Sequence, residues 1–310
     1  MKKQDVGALL LLSTLWGGSF LCMRVAAPVL GPIALIELRV LIAGLALLAY
    51  ALFRRQPLEL RTRWWHYLVI GVLNSAIPFT FIATAELHLA AGLSAILNAT
   101  SPLFGAVIAA LWIKEALTPR KIIGLILGLA GVAVLVGWSP LPFSQTIAWS
   151  LVFSLAAAAF YGLGGVYTKI YAQGYNSLAL ATCSQLGAAL VLMPFAVAFP
   201  PQQLPTTPVI IAVVILALVC TAIAYLIYFG LIARVGPTRA LTVTFLVPGF
   251  GVFWGVLLLH EPLTLSTLLG FAIILAGTGF VTGLRLPARR PAPPAPSQKE
   301  YNETNLTSTR

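Results

Sequence analysis

What this chain has least of is charge. Only 9% of its 310 residues are charged, and 8 are acidic. A water-soluble domain carries roughly 25% charged residues. A chain that is 59% hydrophobic, with mean hydropathy +0.96, has too little polar surface to cover itself in water. Its solvent is therefore a bilayer. So few acids leave no carboxylate pair deep in an apolar run, and so no acid–base couple there. Histidine is equally scarce, with His66, His88 and His260 scattered at the ends of apolar runs. Cys22, Cys183 and Cys220 lie inside such runs, with neither metal spacing nor a disulfide framework, and read as buried apolar thiols. There is no glycine-rich phosphate loop and no serine elbow. The sequence offers no enzyme constellation, no metal set and no cofactor motif.

Long apolar runs are what the chain has instead. A hydrocarbon core of about 30 Å needs roughly 20 apolar residues per helix. Ten runs fit, at approximately 6–25, 33–53, 66–86, 89–112, 119–138, 147–169, 177–199, 208–232, 237–259 and 264–284. Backbone groups find no water in lipid, so each run reads as a helix. The fold class is an all-α integral membrane protein with ten transmembrane helices. Pro57, Pro140, Pro142, Pro200, Pro201 and Pro205 fall between runs, where helices stop. Thr118-Pro119 reads as an N-cap followed by proline at the first helical position, and Thr264 holds the equivalent place. The first run, behind Lys2-Lys3, looks like a signal peptide. Its length, its lack of a clear small-residue cleavage site and the spans that follow favour an uncleaved first span.

The net charge of +11 does not indicate nucleic acid, because Lys and Arg sit at the ends of runs and share no face. They describe topology instead. With the N-terminus in the cytoplasm of a cell-membrane protein, every Lys and Arg of the 19 except Arg24 and Arg39 falls on the inner side. That alternation supports ten spans with both termini cytoplasmic. Trp64, Trp65, Tyr67, Tyr171 and Tyr175 would mark the inner interface, and Trp138 and Trp149 the outer one. The proline-rich stretch 285–310 is expected to be a disordered cytoplasmic tail. Its Asn302 and Asn305 glycosylation patterns are discounted on this topology.

The chain also contains itself twice. Pro102-Leu103-Phe104-Gly105, with Glu115-Ala116-Leu117-Thr118 after it, returns 146 residues later as Pro248-Gly249-Phe250-Gly251, with Glu261-Pro262-Leu263-Thr264. The repeat divides the chain into residues 1–138 and 147–284. Five spans is an odd number, so the second unit enters the membrane from the opposite side. The units are inverted repeats, as in carriers built of two related halves.

A charge at mid-bilayer costs at least about 2.5–3.5 kcal/mol, so polar residues inside the runs are the candidates for function. Asn74 and Pro78 sit near mid-depth in the third run, and Thr221 and Tyr225 take the matching region of the eighth. Asn98 and Thr244 are twins, each four residues before a proline that frees its carbonyl. They suit either a midplane binding site or a structural kink. Trp16, beside Gly17 and Gly18, lies mid-span and either lines a cavity or packs. Arg39 would contact substrate, close an outer gate, snorkel to headgroups or make a structural ion pair. Glu86 reads as an exposed turn carboxylate or a protonatable group. Glu115 and Glu261 end their helices, where the dipole disfavours an anion, and so call for a partner such as a cap on the next helix. They read as structural, or else as gate or proton groups. With no acid at mid-span, facilitated movement is favoured over proton coupling. Gly124, Gly128, Gly131, Gly270 and Gly277 give small faces for a scaffold or for a homodimer contact.

Trp16-Gly17-Gly18-Ser19-Phe20, Leu38-Arg39, Ala95 to Phe104, Glu115-Ala116-Leu117-Thr118 and the second Glu261-Pro262-Leu263-Thr264 together resemble the EamA family of the drug/metabolite transporter superfamily. The resemblance spans roughly residues 6–284. It implies two inverted five-helix repeats around a central cavity, with the fifth and tenth helices as scaffold. It also implies outward transport of small metabolites, often amino acids. Tyr161-Gly162-Leu163-Gly164 departs from the tryptophan-glycine-glycine pattern in the second half.

The leading expectation is therefore an exporting secondary transporter of a small metabolite, working by alternating access around an uncharged hollow. Trp16, Asn74, Asn98, Tyr225 and Thr244 would bind substrate. Arg39, Glu86, Glu115 and Glu261 would be gate or structural charges. The partners would be the substrate and the bilayer, with no nucleic acid. An intramembrane enzyme acting on a lipid-linked substrate and a non-transporting membrane adaptor are the alternatives. The first would need clustered carboxylates with an arginine at one depth. The second would not need polarity in both halves.

Overall fold

A computed structural model describes residues 2–138, 144–201, 203–240 and 242–283. The expected tail 285–310 and the joint prolines Pro140 and Pro142 lie outside the described residues. Ten main helices follow in order: α1 Lys3–Leu30, α2 Pro32–Phe53, α3 Leu60–Ala85, α4 Ala91–Trp112, α5 Pro119–Gly137, α6 Gln145–Tyr171, α7 Ser177–Ala198, α8 Thr207–Val235, α9 Val243–Leu259 and α10 Leu265–Thr282. Among the described residues nine of these are long and apolar enough to cross a membrane, and α9 has 17 residues. At 1.5 Å per residue α9 still extends about 26 Å. The expected helix starts hold. The Thr118 hydroxyl accepts the Lys121 N–H at 3.4 Å, and that of Thr264 accepts the Thr267 N–H at 3.2 Å.

The helices pair across the two halves. The first half of α4, Ala91–Asn98, packs on α9, and the second half, Ser101–Trp112, packs on α6. Exchanging the halves turns the α1–α9 contact into α6–α4, and α3–α7 into α8–α2. The α2–α7 and α5–α10 pairs map onto themselves. Helix ends confirm that successive helices alternate in direction. Asp5 meets Arg234 and Glu115 meets Lys169 at one end, each at 2.9 Å. Arg24 reaches the Glu86 carbonyl, and Glu261 reaches Ala91, at the other. The duplicated units are therefore inverted.

Glycine explains why the doubled motif is what it is. A Cβ on Gly17 of α1 would sit 2.8 Å from the Gly251 nitrogen of α9, and one on Gly162 of α6 would sit 2.6 Å from the Gly105 nitrogen of α4. Phe104-Gly105 and Phe250-Gly251 recur because each marks a backbone-to-backbone crossing. A Cβ on Gly124 would sit 2.6 Å from the Gly277 carbonyl oxygen, and one on Gly277 would sit 2.6 Å from that of Gly124. These glycines serve the α5–α10 scaffold within one chain, not a contact between copies. Apolar side chains such as Leu111, Leu129 and Val197 stay exposed on the outer surface, where lipid replaces protein as their neighbour.

Three helices depart from regular α geometry. α4 breaks at Ala99–Thr100, ahead of Pro102. α3 is π-helical over Val72–Ala76, and α8 over Ile215–Ile223. The two π stretches occupy overlapping positions under the 146-residue offset. Wide turns of this kind gather at functional sites.

Candidate functional site

The centre of the molecule is built on two crossing hydrogen bonds. The Arg39 Nε of α2 donates to the Thr221 hydroxyl of α8 at 3.0 Å. The Gln185 Nε2 of α7 donates to the Ser75 hydroxyl of α3 at 2.9 Å. Gln185 lies 146 residues after Arg39, and Thr221 lies 146 after Ser75. The two bonds are thus one contact made twice, each joining one half to the other. Both acceptors sit in the π stretches, which turn their hydroxyls to the neighbouring helix. Thr221 also bonds back to the Leu216 carbonyl at 2.8 Å, five residues away, as a π turn places it.

Aromatic rings close around these pairs. The Trp16 ring meets Tyr225 at 6.4 Å and Tyr228 at 5.2 Å between centroids. The Tyr225 hydroxyl accepts from Gln185 at 3.4 Å. Phe79 lies beneath the Arg39 guanidinium, 3.6 Å from its carbon to the ring centroid, and Tyr161 meets Phe79 at 6.2 Å.

Arg39 corrects two expectations. It is 3% exposed, so it does not snorkel. Among the described residues no carboxylate lies within 4.0 Å of it, so it is not in an ion pair. Removing a guanidinium from water costs several kcal/mol after relaxation. The ring of Phe79 returns about 2 kcal/mol when desolvated, and Thr221 with the Met23 sulfur at 3.5 Å supplies further neutral contacts. None of these neutralises the charge. The centre is polar, as expected, but it is not uncharged.

The other candidates divide. Trp16 and Tyr225 join the cluster. Asn74, next to Ser75, packs on α6 at Gly164. Asn98 sits at the α4 break, where the Ser101 hydroxyl takes its carbonyl at 2.6 Å and its side-chain oxygen at 3.3 Å. Thr278 of α10 takes the next carbonyl, Ala99, at 3.0 Å. The carbonyls at the break are thus held by hydroxyls, one local and one from the other half. Thr244 is half-buried in the first turn of α9.

Glu86 also corrects its reading. It directly follows α3 and is fully buried, and neither carboxylate oxygen has a hydrogen-bond partner. Burial, and then the nearby Glu261, push its carboxyl well above the usual range. Glu37, in the second turn of α2, is buried too, with one oxygen unpartnered. The acids that seemed missing from the interior lie towards one end of the bundle. At that end Glu261 accepts the Ala91 and Gly92 N–H groups at 2.6 and 3.0 Å. It does cap a helix, but that helix is α4 of the other half, not the next one. A carboxylate is favoured at such a helix start. Its twin Glu115 instead takes Lys121 at 2.7 Å and Lys169 at 2.9 Å, which hold its carboxyl down at about 2.

Gln185 escaped the sequence reading. A glutamine in the middle of the seventh apolar run was the available signal, and its place 146 residues after Arg39 was the second. A surface recess of about 530 Å³ between the α3–α4 turn and the start of α6 is lined by Thr84, His88 and Trp149 and lies away from these pairs.

Ten apolar helices in two inverted units, with a polar centre bridged at equivalent positions, define a membrane transporter of the duplicated type. The EamA-like transporter family is matched twice, over residues 6–137 and 148–283, and the chain belongs to that family. It is 31% identical to the uncharacterized transporter YvbV of Bacillus subtilis (strain 168), covering 84% of this chain and 85% of that protein. It is 28% identical to the uncharacterized inner membrane transporter YedA of Escherichia coli (strain K12), over 89% of this chain and 90% of that protein. A solved crystal structure, 20% identical, superposes with TM-score 0.62 over 91% of this chain and 97% of its own. That likeness is one of fold. These relatives are transporters, not enzymes.

Proposed function

We propose that the protein is a secondary carrier in the cytoplasmic membrane that exports a small metabolite, an amino acid or similar compound, by alternating access. Residues 1–138 and 147–284 are the two units that rock against each other. The observation that carries this reading is the pair of equivalent hydrogen bonds, Arg39 to Thr221 and Gln185 to Ser75, that link opposite halves at the centre. These two links are buried and repeated, so the halves can trade one packing for another around a fixed site. Trp16, Asn74, Asn98, Tyr225 and Thr244 contribute to the walls. The basic end, with Lys114, Lys121, Lys169 and Arg234, faces the cytoplasm, by the charge bias of the loops. In this arrangement the outer end is closed, with α4 on α9 under the Glu261 cap.

The test compares small metabolites inside and outside cells with and without this protein, with no candidate chosen beforehand. Any compound that differs is then measured for flux in vesicles reconstituted with the purified protein. Export of at least one compound, reproduced as flux, is expected. Identical metabolite profiles would overturn the carrier reading.

A further inference from the structure

The two central pairs are equivalent in position but unlike in charge. One donor is a guanidinium, which stays ionised at any working pH. The other is a neutral amide. The asymmetry gives the site a cationic half at Arg39 and an acceptor half at Gln185. The fully buried Gln185 spends its Nε2 on Ser75 and Tyr225, and its Oε1 has no partner. Arg39 has five N–H donors. Among the described residues its hydrogen bonds go from Nε to Thr221 and from Nη1 to Met23.

The nearby acids do not complete it. Glu37 is two residues away on the same helix, and side chains so spaced do not face each other. The charge of Glu86 reaches Arg39, but no oxygen of Glu86 lies within ion-pair distance, and Arg24 is bound to the Glu86 carbonyl. The other titratable groups that reach Arg39 are Tyr161, Cys220, Tyr225 and Cys22. None of these is a second cation, so the site balances one negative charge. That favours a carboxylate over a phosphate dianion. The rings of Trp16, Phe79 and Tyr161 supply an apolar wall. Thr221 and Tyr225, which hold Arg39 and Gln185, are four residues apart on α8, about 6 Å along the axis. That span suits a molecule of few atoms.

We propose that Arg39 binds the carboxylate of the transported molecule and that Gln185 Oε1 accepts a hydrogen bond from an N–H or O–H of the same molecule. The cargo is then a small carboxylic acid with an amino or hydroxyl group close to the acid. This deepens the carrier reading and rests on it.

The experiment uses the full-length protein in reconstituted vesicles and nanodiscs. The probes are small amino and hydroxy acids, each matched with its carboxamide, together with inorganic phosphate. Flux and the shift in melting temperature are both recorded. At least one acid is expected to move and to stabilise the protein, and its amide to bind about tenfold more weakly or worse, the loss expected for a charge-assisted hydrogen bond. Arg39→Gln should show the same loss for the acid, and Arg39→Lys should keep part of the binding. If Arg39→Gln does not fold, the acid–amide contrast in the unaltered protein decides. Amides that match their acids, phosphate that competes as well as the acids, or failure of every acid to move would each overturn the assignment. Movement of amides in place of acids would do so while leaving the carrier reading intact. An unchanged metabolite profile in cells would instead remove the carrier reading itself.

Discussion

Glu86 shows what one side chain can couple. Its carboxyl lies outside the α3 span, wholly buried, beside Glu261 and within reach of Arg24, Arg39 and Cys22. Burial raises its proton affinity above that of a carboxyl in water, whose pKa is about 4.3. Between that value and the raised one, the buried state holds more proton than a hydrated state. The packed end of the bundle that holds Glu86, the outer end on the proposed topology, is therefore stabilised at low pH and loses stability as pH rises through that window. In a background lacking the three native cysteines, Leu87→Cys should be labelled faster by an impermeant maleimide at pH 8 than at pH 5. A thiol reacts faster with rising pH in any case, because its thiolate fraction grows, so with Glu86→Gln, which copies the protonated form, only that intrinsic rise should remain. A slope steeper than that intrinsic rise, surviving the substitution, would place the titration elsewhere.

At the scale of helices, function depends on where one element ends against another. Removing a cap costs about 0.5–2 kcal/mol, and Glu261 caps α4 with both carboxylate oxygens. Glu261→Ala should bias the protein towards an open outer end, read as faster labelling of a cysteine placed at Ala90. Labelling at the unaltered rate would show that α4 and α9 stay closed without the cap. The α5–α10 pair has a different duty. Gly277→Leu forces side-chain atoms against the Gly124 carbonyl and the Gly128 backbone, and overpacking of this kind costs about 1–3 kcal/mol. A lower melting temperature is expected, with the ratio of acid to amide binding unchanged, because neither helix contributes to the Arg39 and Gln185 pairs. A changed ratio would mean that the scaffold reaches the site.

For the whole molecule, the inverted duplication makes one demand. Lys114 and His260 are twins, both in left-handed backbone conformation at φ 54° after α4 and α9. Single cysteines at the two positions should react with an impermeant reagent from opposite faces, His260→Cys from outside intact cells and Lys114→Cys only after permeabilisation. Labelling of both from one face would contradict the arrangement. The reversed pattern would keep the duplication and turn the protein over in the membrane.

Composition, apolar run length and a 146-residue repeat were enough to specify ten helices in two opposed halves, because a bilayer leaves the backbone almost no other choice. Loop charge supported the alternation of direction, and local chemistry placed the caps at Thr118 and Thr264. The site was legible only in part. Trp16, Tyr225 and Arg39 stood out as polar or aromatic residues inside apolar runs. Their company did not, because hydrogen bonds such as Arg39 to Thr221 join residues 182 positions apart. Whether a carboxylate such as Glu86 is wet or buried, and which helix Glu261 caps, depends on what packs over it from the other half. Those facts belong to the tertiary structure, since burial and pairing are properties of neighbours that sequence order does not bring together.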